Sequence, residues 1–286
     1  MKIYDLHIHD DYDDITPEEF LSKLGEAGIY GAGVFSPAPD ALEPGGSPYE
    51  KRVSRVLSFC KNYPGRLFPV LWTHAYEDGV LEKVADAAAR GIAAFKIICN
   101  NYYVGDDKSM KLMEEIARLQ KPVVFHTGIL WDGTASGVYN RPINWESLID
   151  IPRLKFATAH CSWPWYDECI AMYGKFQNAW QNKPDASEMF FDLTPGTPVP
   201  YRRDLLTKLF TVGYDVKNNI IFGTDCMTSY RPEWAKKWQD IDNGLYHEIG
   251  VDEETIQNIY CNNMMRFLGV TNQTVTKAKL NPDGGE

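Results

Sequence analysis

The sequence predicts an α/β protein folded as a (β/α)8 TIM barrel. Three observations lead there. Short apolar, β-rich runs recur eight times along the 286 residues, with helix-like segments between them. Alternating strands and helices imply a parallel sheet with right-handed crossovers, and eight such units suit closure into a barrel. No Gly-x-Gly-x-x-Gly follows any of the runs, which weighs against an open dinucleotide-binding sheet.

The first run, residues 2–7, combines a β-branched residue with aromatic and apolar neighbours. Side chains at i and i+2 of a strand point the same way, so Asp5, His7 and His9 are expected on one face. Thr16-Pro17-Glu18-Glu19 then opens a helix, with a capping Thr, a Pro in the first turn and two acids at the positive end of the dipole. A second strand is expected at 30–35. The helix over 49–62 places Val53, Val56, Leu57 and Cys60 at i, i+3, i+4 and i+7. Strands at 66–72 and 93–98 follow, with helices at 80–90 and 109–119. The later strands are 122–126, 154–159, 188–193 and 220–224, and the later helices 163–182, 201–212 and 252–268. Pro and Gly are spread evenly, so residues 1–270 read as one domain. The polar stretch 271–286, ending Pro-Asp-Gly-Gly-Glu, reads as a loose extension.

The formal net charge of -10 argues against nucleic acid or an anionic membrane as partner and leaves a small molecule. No apolar run reaches the roughly 18 residues of a membrane span. The six cysteines are scattered without a Cys-x-x-Cys, and the first residues lack a basic-then-apolar leader pattern. Free thiols and a cytoplasmic location are therefore expected.

Active sites of such barrels are built at the C-terminal ends of the strands. Five of the six histidines (His7, His9, His74, His126 and His160) fall at or just after a strand end, and only His247 lies in a helical stretch. The fifth strand ends Val123-Val124-Phe125-His126, the sixth ends Thr158-Ala159-His160, and the eighth runs Ile220-Ile221-Phe222-Gly223-Thr224-Asp225. Each is an apolar run that stops abruptly at a polar ligand. His7, His9, His126 and Asp225 together offer nitrogen and oxygen donors suited to zinc, with a position left for water.

His-x-His after the first strand, His after the fifth and sixth, and Asp after the eighth resemble the amidohydrolase superfamily of metal-dependent barrels. Phe125-His126-Thr127-Gly128 and Phe222-Gly223-Thr224-Asp225 resemble the signatures of its amidohydrolase 2 branch, which includes aminocarboxymuconate-semialdehyde decarboxylases and pyrone-dicarboxylate lactonases. The segment from Ile259 to Gly269 resembles that branch's final helix, with Met264 where a small residue is usual. The resemblance implies one divalent metal, zinc before manganese, held by His7, His9, His126 and Asp225. Some superfamily branches bridge two metals with a carbamylated Lys on the fourth strand, where this chain has Lys96; an ordinary ammonium that orients substrate is the preferred reading. The nucleases of TatD type place a Glu near that point, and none stands there.

The chemistry expected of this set is acid–base work on a metal-activated water. Asp225 accepts the water's proton and returns it to a leaving group, while His160 steadies the water or an oxyanion. Asp5 is expected to support the His-x-His pair or to sit lower in the barrel. The loops carry Trp131, Arg141, Trp163 and Arg231, which together with Lys96 suit a flat or anionic substrate. The same aromatics also suit rim packing or a homodimer interface. The leading expectation is a hydrolase acting on an ester, lactone or amide of a small anionic compound. A nonoxidative decarboxylase of a small carboxylic acid is the alternative. A TatD-like phosphodiesterase and a noncatalytic metal- or ligand-binding barrel rank lower.

Overall fold

The structure, a computed structural model, describes residues 1–11, 14–40 and 46–270. The strands are β1 (Tyr4–His9), β2 (Gly31–Phe35), β3 (Leu67–Thr73), β4 (Ala94–Ile97), β5 (Val123–Phe125), β6 (Lys155–Thr158), β7 (Glu188–Asp192), β8 (Ile220–Ile221) and β9 (Cys226–Met227). They form one sheet in the order β8-β7-β6-β5-β4-β3-β2-β1-β9, parallel throughout. The helices are α1 (Pro17–Glu26), α2 (Tyr49–Cys60), α3 (Val80–Arg90), α4 (Asp107–Arg118), α5 (Tyr166–Asn182), α6 (Val199–Thr211), α7 (Pro232–Ile249), α8 (Glu253–Gln257) and α9 (Asn263–Phe267).

The barrel closes through a broken strand. β8 falls within the eighth run read from the sequence, 220–224, and β9 lies just beyond it. The first pairs with β7 and the second with β1. Between them the Leu6 N–H donates to the Phe222 carbonyl (3.0 Å), which bridges the seam. The break has a local cause: Asp225 takes a left-handed backbone (φ 57°), which no strand can continue through.

β1 departs from simple alternation as well. Its register against β2 slips between Asp5 and Ile8, the signature of a bulge. Tyr4 and Leu6 therefore belong to the barrel interior, while His7 and His9 beyond the bulge turn into the cavity at the strand ends. Asp5 does not share their face, contrary to the period-two reading. It turns toward Thr224 and Tyr230 on the closing strand and its loop.

Two apolar layers hold the fold. One fills the barrel with Leu6, Val70, Ala94, Val124, Ala157 and Ile221, and is plugged from below by Met264 and Phe267 of α9. The other packs helices on the sheet's outer face, with Phe20, Val53, Val84, Leu112, Phe176 and Leu206 among its members. The α1 capping box is present in full: Thr16 Oγ1 accepts from the Glu19 N–H and the Glu19 carboxylate accepts from the Thr16 N–H.

Three places depart from the expected elements. The crossover from β5 to β6 is made of 3-10 turns, Gly137–Asn140 and Pro142–Leu148, which bury Trp145 and Leu148 where an α-helix would pack. The long helix α7 fills the stretch that the strand–helix rhythm left without a helix of its own; it starts with Pro232 in its first turn and stops at Gly250, whose φ of 84° needs glycine. The closing helix is split by a π-turn at Asn258–Asn262, whose Ile259 carbonyl accepts from the Phe222 N–H (3.2 Å) beside the seam. The tail at 271–286 lies outside the described residues. Among the described residues, no helix is long and apolar enough to cross a membrane.

Candidate active site

His7 and His9 end β1, Lys96 lies on β4, and His126 follows β5 directly. His160 follows β6, Asp192 ends β7, and Asp225 sits in the break between β8 and β9. All of these but Asp192, which stands behind His7, line one cavity of about 630 Å³ at the C-terminal end of the sheet. That volume is in the range of small-molecule sites.

At its floor His7, His9 and Asp225 bring one ligand atom each to within 4.8 Å of one another. His7 Nε2 lies 3.2 Å from His9 Nε2 and 3.5 Å from Asp225 Oδ1, and His9 Nε2 lies 3.3 Å from that same oxygen. His7 Nδ1 donates to Asp192 Oδ2 at 2.7 Å, which leaves Nε2 as a lone pair aimed at the other two ligand atoms. Three ligand atoms drawn to one point fit a divalent cation, and the N, N, O set fits zinc or manganese chemistry. His7, His9 and Asp225 are the residues that would hold it.

The electrostatics agree with that use. Burial, helped by the Lys96 charge, pushes the His7 imidazole down to about 4, against the pull of Asp192. Burial also lowers His126 and His160, and Lys96 adds to both effects. Neutral imidazoles are what a metal ligand or a proton acceptor requires. Burial pushes the Asp225 carboxyl up, but the His9 hydrogen bond and the charges of His7 and His160 outweigh it and hold the group well below the usual carboxylate range. Lys96 is pushed down to about 8 by burial, with Asp225 and Asp192 opposing.

Asp192 is the functional residue that the sequence reading missed. It orients His7, and its other oxygen accepts from the Thr194 N–H (2.9 Å) and hydroxyl. Burial works against its ionisation, but His7 and Thr194 keep it below the usual carboxylate range. The signal was there: Glu188-Met189-Phe190-Phe191-Asp192 is another apolar run that ends in an acid. Gly223 makes room for this arrangement, since a Cβ there would come within 2.4 Å of Thr194 Oγ1 and 3.0 Å of both Asp192 Oδ1 and His7 Cβ. Asp5 acts from behind the site. It accepts from the backbone N–H groups of His7 and Thr224, both at 3.0 Å, and from the hydroxyls of Thr224 and Tyr230, so it ties the first strand to the residue before Asp225. Burial pushes its carboxyl up to about 7 in spite of these donors.

His126 and His160 face the same cavity but stand outside the three-residue cluster. Their rings are 5.0 Å apart, and His126 Nε2 donates to the Ile129 carbonyl at 3.3 Å. His160, Cys161 and Ser162 all have positive φ (63°, 45° and 60°). Three consecutive non-glycine residues in that region store strain of the kind that marks functional sites. The His160 ring packs on Gly196, where a Cβ would lie 2.9 Å from Nδ1, so Nε2 is the edge left for a ligand. Trp131 and Trp163 line the cavity together with Lys96. Arg141 and Arg231 do not. Arg141 is bidentate to Glu168 and stacks on Trp165, and Arg231 lies over Trp234 at the start of α7. His74 sits beyond the lining, between Asn100 and Tyr76.

A parallel barrel with two imidazoles and a carboxylate gathered at its C-terminal rim defines a metal-dependent enzyme class. The sequence matches the amidohydrolase family over residues 5–270, and the chain belongs to that family. It is therefore an enzyme of a metal-dependent superfamily. No curated protein matches the sequence. Several solved structures share the fold. A 2,6-dihydroxybenzoate decarboxylase from Rhizobium is 13% identical with a TM-score of 0.65, covering 94% of this chain and 99% of that one. A probable 2-pyrone-4,6-dicarboxylic acid hydrolase from Acinetobacter baumannii, with citric acid bound, is 13% identical with a TM-score of 0.62, covering 94% and 100%. A dihydroorotase from Campylobacter jejuni is 14% identical with a TM-score of 0.59, covering 94% and 84%.

Proposed function

We propose that this enzyme is a hydrolase that uses activated water to cleave an ester, lactone or amide bond of a small anionic substrate, with one divalent ion, zinc before manganese. The observation that carries the reading is the cluster of His7, His9 and Asp225 at the floor of a cavity large enough for a small organic molecule. A divalent cation held there supplies Lewis acidity that lowers the pKa of water from about 15.7 to about 7. Asp225, ionised and with its side chain open to the cavity, takes the proton from the attacking water and passes it to the leaving oxygen or nitrogen. His160 presents Nε2 to the oxyanion that develops on the carbonyl. Asp192 holds His7 in one tautomer throughout. His126 is a further ligand candidate if its ring turns from Ile129 toward the cluster.

No Arg lines the cavity among the described residues. A decarboxylase would be served by a guanidinium clamping the departing carboxylate, which is why hydrolysis is preferred here. The test is a panel of esters, lactones, amides and carboxylic acids followed in a weakly buffered solution near pH 8. Hydrolysis of an ester or lactone releases a proton, whereas decarboxylation takes one up and returns it when the carbon dioxide hydrates to bicarbonate at this pH. Formation of carbon dioxide and bicarbonate without net acidification would replace this reading with the decarboxylase. In the same assay Asp225→Asn is expected to lower kcat by about 10²–10⁴-fold with an unchanged circular dichroism spectrum. Activity near that of the wild type rejects the role of Asp225.

A further inference from the structure

This inference rests on the hydrolase reading and adds a substrate class to it. Lys96 is 1% exposed and borders the cavity. Among the described residues it joins no ion pair or hydrogen bond; its ammonium lies over the Phe35 ring at 5.5 Å. The carboxylates of Asp225 and Asp192 act on it only through space, without a direct ion pair, and a buried ammonium held that loosely is costly to stability. It is also the only Lys or Arg among the described residues that line the cavity. Of the four aspartates that line the cavity, Asp225 lies against His7 and His9, and the other three are engaged by protein donors. Asp10 is bidentate to Arg55, Asp11 accepts from Thr228 and Ser229, and Asp132 accepts from Thr134 and Ser136. One cation is left over for a ligand.

The mouth of the cavity is apolar. Trp131 is 80% exposed and Met227 47% exposed, and Trp163 also lines the space. Large apolar groups held in water at a cavity mouth mark a surface that a ligand covers. We propose that Lys96 recognises a single carboxylate that the substrate keeps through the reaction, while Trp131 and Trp163 cover a flat apolar body. The substrate class is then a planar monocarboxylate. A second carboxylate would meet no further cation on the lining and would be turned away by the four aspartates.

Binding without turnover tests this. Titration calorimetry on the full chain, as purified and after chelation, compares benzoate with benzamide, which share a shape and differ by one charge. Benzoate is expected to bind about 10–100-fold more tightly than benzamide in both states, the range of a charge-assisted hydrogen bond. Lys96→Met should bring benzoate to the benzamide level, Lys96→Arg should keep part of the preference, and Trp131→Ala should weaken both ligands. Lys96→Met should also raise the Tm of the ligand-free chain by about 2–4 °C, whereas a lysine serving only the structure would lower it on removal. Equal binding of the two ligands by the wild type overturns the proposal even if the Met variant does not fold. So does a preference that survives Lys96→Met, a preference lost on chelation alone (the carboxylate then sits on the metal), or a carbamate found on Lys96 by native mass spectrometry. The two readings fail separately. Hydrolysis with equal binding rejects only the Lys96 subsite, and a retained benzoate preference without hydrolysis rejects only the reaction.

Discussion

His7 shows how much a side chain's work depends on its second nitrogen. Its Nε2 faces the cluster because its Nδ1–H is fixed on Asp192. Partners of this kind orient metal ligands and tune their basicity. Asp192→Asn is expected to weaken metal binding about 10–100-fold, measured by competition with a coloured chelator; an unchanged affinity would show that Asp192 does not orient His7. Single-residue roles were legible where the side chain was chemically rare. Histidines at strand ends stand out, and so does Asp225 after an apolar run. Asp192 was hidden because a strand-end Asp is common, and only its 185-residue separation from His7, bridged by folding, makes it a partner. Arg141 and Arg231 were misplaced for the converse reason: composition gives the charge of a loop but not which carboxylate its guanidinium finds, and Glu168 is 27 residues from Arg141.

Between elements, the buried pair Arg202–Asp242 joins α6 to α7. It is bidentate at 2.8 and 2.7 Å, and Arg202 also donates to the Leu193 carbonyl just past Asp192. Both side chains are at most 1% exposed. Asp242→Ala strands the guanidinium and is expected to cost about 3–5 kcal/mol in urea unfolding, while a double replacement by Leu at 242 and Met at 202 should cost much less. Equal losses would mean that packing, not the stranded charge, decides. Just past the end of β3, His74 accepts from the Tyr76 N–H and contacts Asn100. Burial holds its imidazole below the ordinary 6.5, although Asn100 and Glu77 pull the other way. The unfolded chain therefore takes up a proton on acidification before the folded one does. This contribution is complete above about pH 6.5 and is lost as the pH falls below that toward the folded value. His74→Gln should flatten that limb of the stability profile, and an unaltered limb would assign it to other groups. Most elements were legible because their signals are periodic or compositional, as in α3, whose bounds equal the expected 80–90. The β1 bulge, the break before β9 and the 3-10 crossover were not, because a single torsion such as φ at Asp225 leaves no trace in a hydrophobic pattern.

At the scale of the molecule, the candidate ligands His7, His9 and Asp225 come from the first strand and from the break in the closing one. An ion held there would clamp the barrel where it would otherwise open. Chelation is expected to lower Tm and metal addition to restore it, with a free-energy difference of about 2.7 kcal/mol when free metal is at 100 times Kd. A Tm indifferent to chelation would remove the metal from the closing strand. The fold class was legible because eight repeated units constrain topology strongly. Which reaction runs on it was not, because hydrolases and decarboxylases share this frame and differ in a few groups at the rim.

The broken closing strand also carries a consequence for biosynthesis. Thr224 and Asp5 meet across 219 residues of chain, and Asp225 follows at once. Synthesis proceeds from the N-terminus, so His7 and His9 emerge first and wait, without their carboxylate, for most of the chain to be made. The centre is completed only when the closing strand docks against the first, a contact of long range and slow search. Assembly of the His7, His9 and Asp225 cluster is thus a late event, and a truncated chain ending before residue 220 carries the histidines without the cluster.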